Sequence, residues 1–203
     1  EVALFSLISL FIASLGEVTV GAHQVALNYT SILFMLPLSL SMALTIRVGN
    51  TIGQGRLSHA RLVAWNGVMI SLLAALCNST LLWFTAESVM TLYTHDIAVQ
   101  RLALSLVLLA MLYQVSDSLQ INLAGALRGY KDTRVIMLIT LFSYWAIGLG
   151  GGHWLGTRGL PGWVEPLGVH GYWIGLIAGL TAAALLLGAR LIYHANATIQ
   201  TKA

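Results

Sequence analysis

Apolar residues along this chain come in long runs that charged residues almost never interrupt. Runs without Asp, Glu, Lys or Arg extend over 18–46, 62–86, 135–157 and 166–189, and a run over 102–127 contains one acid, Asp117. A helix rises about 1.5 Å per residue, so crossing a hydrocarbon core of about 30 Å takes about 20 residues. Each run is therefore long enough to predict a membrane-spanning helix.

The start of the chain carries a shorter apolar run. It covers only 15 residues from Val2 to Gly16 and follows Glu1. At helical rise this run is too short to cross, so we expect the chain to begin inside a helix and to belong to a longer protein. The pattern predicts an all-α membrane protein, a bundle of six transmembrane helices that forms one domain over residues 1–203. The predicted helices cover about 1–15 (truncated), 24–46, 60–85, 98–127, 135–156 and 168–190.

Composition supports a membrane rather than an aqueous setting. The chain is 58% hydrophobic and 8% charged, whereas a soluble domain is about 25% charged. The formal net charge of +3 comes from basic residues dispersed among loops. Because no basic stripe with interleaved aromatic residues occurs, we expect no nucleic-acid partner.

The basic residues divide unequally between the two sides of the predicted bundle. If the N-terminus is cytoplasmic and the helices alternate, only Arg101 and Arg158 fall on the outer side. The other eight of the ten basic residues then fall on the inner side: Arg47, Arg56, Arg61, Arg128, Lys131, Arg134, Arg190 and Lys202. This asymmetry follows the positive-inside rule and predicts that both chain ends are cytoplasmic.

Two glycine strips predict close helix packing. Small residues recur every fourth position on the last two segments, at Gly148, Gly152 and Gly156 and at Gly171, Gly175 and Gly179. In lipid, such strips let two helix backbones approach closely. We interpret them as packing surfaces rather than substrate contacts.

Pro37 lies about 15 Å from the inner boundary of its helix, near the membrane midplane. A proline there removes one backbone hydrogen bond and bends the helix. The bend is either a hinge of a moving helix or a static kink, and the sequence leaves both open.

Asp117 is the acid that interrupts an otherwise apolar segment. Counting back from Arg128, it lies about 16 Å inside the membrane. An acid at mid-bilayer costs about 2.5–3.5 kcal/mol on insertion scales, so it needs a partner or a function. Tyr113 and Gln120 share its helix face at the i, i+4, i+7 spacing, which predicts one polar stripe facing the bundle interior.

A second polar stripe predicts a cavity. Gln24, Asn28 and Ser31 fall on one face of the second segment and would line a wet space in the outer half of the bilayer.

Glu1 is the second candidate acid and would be about 21 Å deep by helical rise. Loss of water favours the neutral form of a carboxyl group, so a buried acid can exchange a proton for another cation. A purely structural acid, bonded to Tyr113, Gln120 or a backbone carbonyl, is the alternative for Asp117.

Other chemistries find little support. The six histidines are scattered over separate loops and segment ends and are not paired at i, i+4, so beyond a bound Na⁺ we predict no metal site and no cofactor. They are His23, His59, His95, His153, His170 and His194. The Gly-x-Ser-x-Gly motif of hydrolases is absent, and GNTIGQGR lacks the lysine of a phosphate loop.

Three stretches resemble a known family. They are AHQVALNYTSILFMLPLSLSMALTIRVGN at 22–50, YQVSDSLQINLAGALRGYKDTR at 113–134 and EPLGVHGYWIGLIAGLTAAA at 165–184. These stretches are similar to the eighth helix, the tenth-to-eleventh region and the last helix of MATE (multidrug and toxic compound extrusion) transporters, in their NorM branch.

The resemblance implies the C-terminal six-helix lobe of a twelve-helix antiporter in the bacterial inner membrane. Such a transporter exports cationic drugs and dyes while Na⁺ or H⁺ flows inward. Its partners would be membrane lipid and the missing N-terminal lobe, without which we expect no transport. The family's cation site implies roles for Glu1 and Asp117, with Tyr113 and Gln24 nearby.

Two rival functions remain at this stage. A flippase for lipid-linked precursors, from the same broader superfamily, needs cations in its cavity to hold pyrophosphate, yet no Arg or Lys lies at mid-membrane. An intramembrane enzyme needs a reactive constellation near one interface.

Overall fold

The computed structural model describes residues 2–159 and 165–200, and nearly all of them are helical. The elements are α1 (Val2–Ala13), α2 (Glu17–Gly53), α3 (Leu57–Tyr93), α4 (Ile97–Gly129), α5 (Thr133–Phe142), a π-helical segment (Ser143–Gly151), α6 (Gly152–Thr157) and α7 (Val169–Gln200). Of the described helices, five are long and apolar enough to cross a membrane, counting Thr133–Thr157 as one span. The all-α membrane fold is confirmed.

The helices extend beyond the predicted ends. α2 and α3 each have 37 residues, about 55 Å at helical rise, whereas the predicted helices covered 24–46 and 60–85. Charged residues set the predicted ends because they leave the hydrocarbon. A helix can continue past that boundary, so Arg47 lies within α2 and Glu87 within α3.

Helix α4 is the centre of the bundle, packed between α2, α3 and α7. Its polar side chains bond to neighbouring helices. Ser71 and Ser118 share a hydrogen bond of 2.8 Å between α3 and α4. From α2, Ser41 donates to the Ile121 carbonyl at 2.7 Å and Thr45 donates to the Gly125 carbonyl at 2.9 Å. Interhelical hydrogen bonds of this kind replace the hydrophobic effect as the packing force in lipid.

The two predicted glycine strips lie against each other. A Cβ added at Gly179 would stand 2.8 Å from the Gly148 Cα, and one added at Gly152 would stand 3.4 Å from the Gly175 Cα. The continuous span Thr133–Thr157, formed by α5, the π-helical segment and α6, is called the α5–α6 rod. The distances mean that α7 touches the backbone of this rod directly. The interpretation of the strips as packing surfaces is confirmed.

Two asparagines from neighbouring helices form hydrogen bonds to the backbone of α2 near the buried Pro37. Proline has no N–H, so the Leu33 carbonyl one turn earlier loses its helical donor. Asn78 of α3 donates to that carbonyl at 3.1 Å, and Asn122 of α4 donates to the Pro37 carbonyl at 3.2 Å. The vacated backbone acceptor is thereby satisfied from α3. Whether Pro37 acts as a hinge stays a prediction.

Replacing Asn78 by Leu is expected to destabilise the full-length protein by about 0.6–1.7 kcal/mol, the range measured for hydrogen bonds between membrane helices. The substitution leaves the Leu33 carbonyl without its donor. The thermal unfolding midpoint in detergent measures the loss, with the exposed Asn50→Leu as control. Equal midpoints for the two variants would show that the bond contributes nothing.

Candidate functional site

Asp117 is completely buried on α4, and its stripe neighbours Tyr113 and Gln120 are 5% and 4% exposed. The structure thus places all three inside the bundle. Glu1, the second predicted acid, lies outside the described residues. The roles of Asp117 and Glu1 in cation coupling stay predictions.

A cavity of about 320 Å³ opens between α1, α2 and α4. It is lined by Phe5, Gln24, Leu27, Asn28, Thr30, Ser31, Phe34 and Tyr113. The two predicted stripes therefore meet, since Gln24, Asn28 and Ser31 face the same space as Tyr113. Asp117 comes one turn of α4 after Tyr113, and neither it nor Gln120 nor Pro37 is part of the lining.

Aromatic rings hold Tyr113 at the boundary between this cavity and the buried part of α4. The Phe5 ring of α1 lies edge-on to it at 6.0 Å between centroids, and the Trp173 ring of α7 does so at 5.8 Å. Edge-to-face contacts of this kind favour one ring orientation. Tyr113 is therefore fixed from two sides, with only a small part of its surface open to the cavity.

His23 joins three helices behind the same cavity. The indole N–H of Trp173 can only donate, so the His23 Nδ1 accepts at 3.3 Å. The proton of the neutral ring is then on Nε2, which lies 3.2 Å from the Ser9 hydroxyl of α1. Placing every histidine at loops and segment ends was wrong for His23, which is inside α2 and 1% exposed. No local pattern indicated this burial, because neighbouring residues such as His23 and Gln24 do not share a helix face.

Sequence reasoning also missed Gln114, one turn before Asp117 on α4. The Gln114 side chain is fully buried, and neither its amide oxygen nor its nitrogen has a hydrogen-bond partner within the described part of the chain. The spacing i, i+3 puts it on the same side of α4 as Asp117. The available signal was the polar run YQVSDSLQ in an apolar segment.

This arrangement suits a small hard cation. The buried residues of α4 offer carboxylate and amide oxygens, which are ligands that hard cations prefer. Around the cavity, the aromatic rings of Phe5 and Phe34 are of the kind that can attract an organic cation. Amide and hydroxyl groups of Gln24, Asn28 and Ser31 can hydrogen-bond to its polar atoms.

Replacing His23 by Phe is expected to lower the stability of the full-length protein by about 1–3 kcal/mol, because the Trp173 N–H then remains buried without an acceptor. His23→Gln keeps one donor and one acceptor and should recover part of the loss. Thermal unfolding in detergent measures both variants, with exposed His59→Phe as control. If His23→Phe unfolds at the control's temperature, the histidine does not join these helices.

Comparison with known proteins identifies close relatives. The MatE family model matches residues 1–152. Multidrug resistance protein NorM of Aliivibrio fischeri is 43% identical over 194 residues, covering 95% of this chain and 42% of the relative. Multidrug resistance protein PmpM of Pseudomonas aeruginosa is 45% identical over 201 residues, covering 98% and 42%. The chain thus spans about two fifths of the length of the curated relatives it matches.

Solved structures share the fold. The crystal structure of the eukaryotic MATE transporter AtDTX14 superposes with a TM-score of 0.85 at 23% sequence identity, covering 95% of this chain and 43% of that one. An outward-facing multidrug resistance MATE transporter of the MOP superfamily gives 0.84 at 17% identity, covering 98% and 44%. Each match covers nearly all of this chain and less than half of the solved one.

Proposed function

The chain belongs to the MatE family, and on that premise we propose that the full-length protein exports cationic drugs and dyes in exchange for inward-moving Na⁺ or H⁺. Members of this family are secondary transporters and not enzymes, which removes the intramembrane-enzyme alternative. The relatives named multidrug resistance proteins support efflux of small molecules. The observation that carries the coupling proposal is the complete burial of Asp117.

In our proposal, the buried carboxyl group of Asp117 holds the exchanged cation. A carboxylate removed from water favours protonation or a bound cation. In our proposal, Na⁺ or H⁺ at Asp117, together with Glu1, neutralises the acids, and its departure accompanies binding of the drug. A ligand can drive such a change only through different affinities for the two states.

The cavity chemistry favours a cationic drug over an anionic lipid precursor. None of the residues that line the described cavity is Arg or Lys, and three are aromatic. A flippase that holds a pyrophosphate group needs positively charged side chains in its cavity. The lining therefore supports Gln24, Asn28 and Ser31 as contacts for the drug.

Alternating access requires the part of the protein that this chain lacks. We propose that the two lobes rock against each other within the lipid of a bacterial inner membrane, with Pro37 as the bending point of α2. Both ends of this lobe are cytoplasmic in the proposed orientation. The isolated lobe, without the other wall of the cleft, should not transport.

Proteoliposomes that contain the full-length protein test the proposal. With ethidium as the dye, an imposed gradient of Na⁺ or of H⁺ should drive dye movement, and collapse of that gradient should stop it. Liposomes without protein are the control. Dye movement that is unaffected by both gradients would contradict antiport. Movement of a lipid-linked pyrophosphate without any dye transport would favour the flippase.

A further inference from the structure

A groove of about 340 Å³ runs between α2 and α3, away from the drug cavity. Its lining includes Leu40, Ala43, Leu44 and Arg47 on α2 and Val63 and Ile70 on α3. The α2 residues follow the i, i+3, i+4, i+7 spacing of one helix face. From Leu40 to Arg47 that face extends about 10 Å along the helix.

Polarity changes along the groove in one direction. The deep end between Leu40 and Ile70 is apolar, and the lining carries a single charged side chain, Arg47, at the end near the α2–α3 loop. Asn66 of α3 adds a hydrogen-bonding amide to the lining. A lipid has the same arrangement, with an acyl chain toward the membrane interior and a polar headgroup at its boundary.

Charge complementarity identifies the headgroup as anionic. No Asp or Glu occurs between Glu17 and Glu87, so neither α2 after its first residue nor α3 up to Glu87 offers a carboxylate. The ion pairs of the described residues join Asp132 to Arg190 and to His194, and Arg47 is exposed. Its guanidinium can therefore form a bidentate pair with a phosphate.

We propose that this groove binds an acidic phospholipid, with the phosphate at Arg47 and one acyl chain along the face from Ala43 to Leu40. Basic residues beside grooves between membrane helices bind anionic headgroups in this way. The base of the groove is firmly packed. Leu44 is 5% exposed and packs onto the backbone of Gly67, where an added Cβ would clash with it. This site is separate from the proposed drug cavity and does not depend on it.

Native mass spectrometry of the full-length protein, titrated with phosphatidylglycerol and with phosphatidylcholine, tests the proposal. The acidic lipid should bind more tightly than the zwitterionic one. Arg47→Gln should weaken phosphatidylglycerol binding about fivefold, from the typical contribution of one basic residue near a membrane surface. Phosphatidylcholine carries the same phosphate together with a compensating choline cation, so its binding should weaken less than that of phosphatidylglycerol in this variant.

Two further variants separate the groove from general charge effects. Arg56→Gln removes the same charge at an exposed residue outside the groove and should leave binding unchanged. Ala43→Trp fills the groove from an exposed position and should weaken binding of both lipids. The proposal is overturned if both lipids bind equally to the unmodified protein, if Arg47→Gln and Arg56→Gln act alike, or if Ala43→Trp has no effect because another part of the protein covers the groove.

Discussion

Replacing Asp117 by Asn is expected to reduce cation-coupled ethidium efflux by the full-length protein about 5- to 150-fold, the range of a typical coupling free energy. The amide has nearly the same shape as the carboxyl group but cannot lose a proton or pair with Na⁺ as an anion. Asp117 is fully buried, so the lost charge is not replaced by groups at the surface. Efflux from cells that express the variant, at matched protein levels, measures the effect.

Glu87→Gln is the matched control for this prediction. It makes the same chemical change at an exposed acid of α3. Efflux by this variant should equal that of the unmodified protein. If Asp117→Asn also retains full coupled efflux, Asp117 is a structural acid, which is the alternative that the sequence left open.

Replacing Gly175 by Ala is expected to destabilise the protein by about 1–3 kcal/mol, the usual cost of forcing an extra methyl group into a packed interior. A Cβ there would lie 2.5 Å from the Gly148 carbonyl oxygen and would overlap the Gly152 backbone. Neither contact belongs to a flexible side chain that could move aside. The helices must therefore separate, with loss of the close contact between α7 and the α5–α6 rod.

Gly151→Ala is the control for this packing prediction, and its sign should be opposite. A Cβ at Gly151 meets nothing within 4 Å, and alanine favours the helical backbone over glycine by about 0.5–1 kcal/mol. The thermal unfolding midpoint should fall for Gly175→Ala and stay equal or rise for Gly151→Ala. Equal losses in both variants would mean that backbone flexibility, rather than helix contact, explains the glycines.

The sequence predicted features that depend on a single helix. Charge-free runs gave the spans because membrane thickness fixes their length. The spacing of Tyr113, Asp117 and Gln120 gave a shared buried face because helical periodicity alone determines it. Glycine repeats likewise indicated flat surfaces, which α7 and the α5–α6 rod present to each other.

Features that depend on neighbouring helices could not be predicted. The donor for the Leu33 carbonyl is Asn78, on another helix, and no local pattern assigns it. The sequence placed His23 at a segment end, because its hydrogen-bond partner Trp173 lies 150 positions away on α7. The π-helical turn from Ser143 to Gly151 also leaves no periodic signature in an apolar run.

The central claim is that Asp117 holds the cation that is exchanged for the drug. Measuring cation release when the drug binds tests this claim most directly. The full-length protein, purified in weakly buffered detergent solution, is titrated with ethidium while released protons or labelled Na⁺ are counted. The account predicts that the unmodified protein releases its cation as the dye binds, and that Asp117→Asn, which keeps only Glu1, binds the dye with clearly reduced release. Equal release from both proteins would contradict it, because the exchanged cation would then be held somewhere other than Asp117.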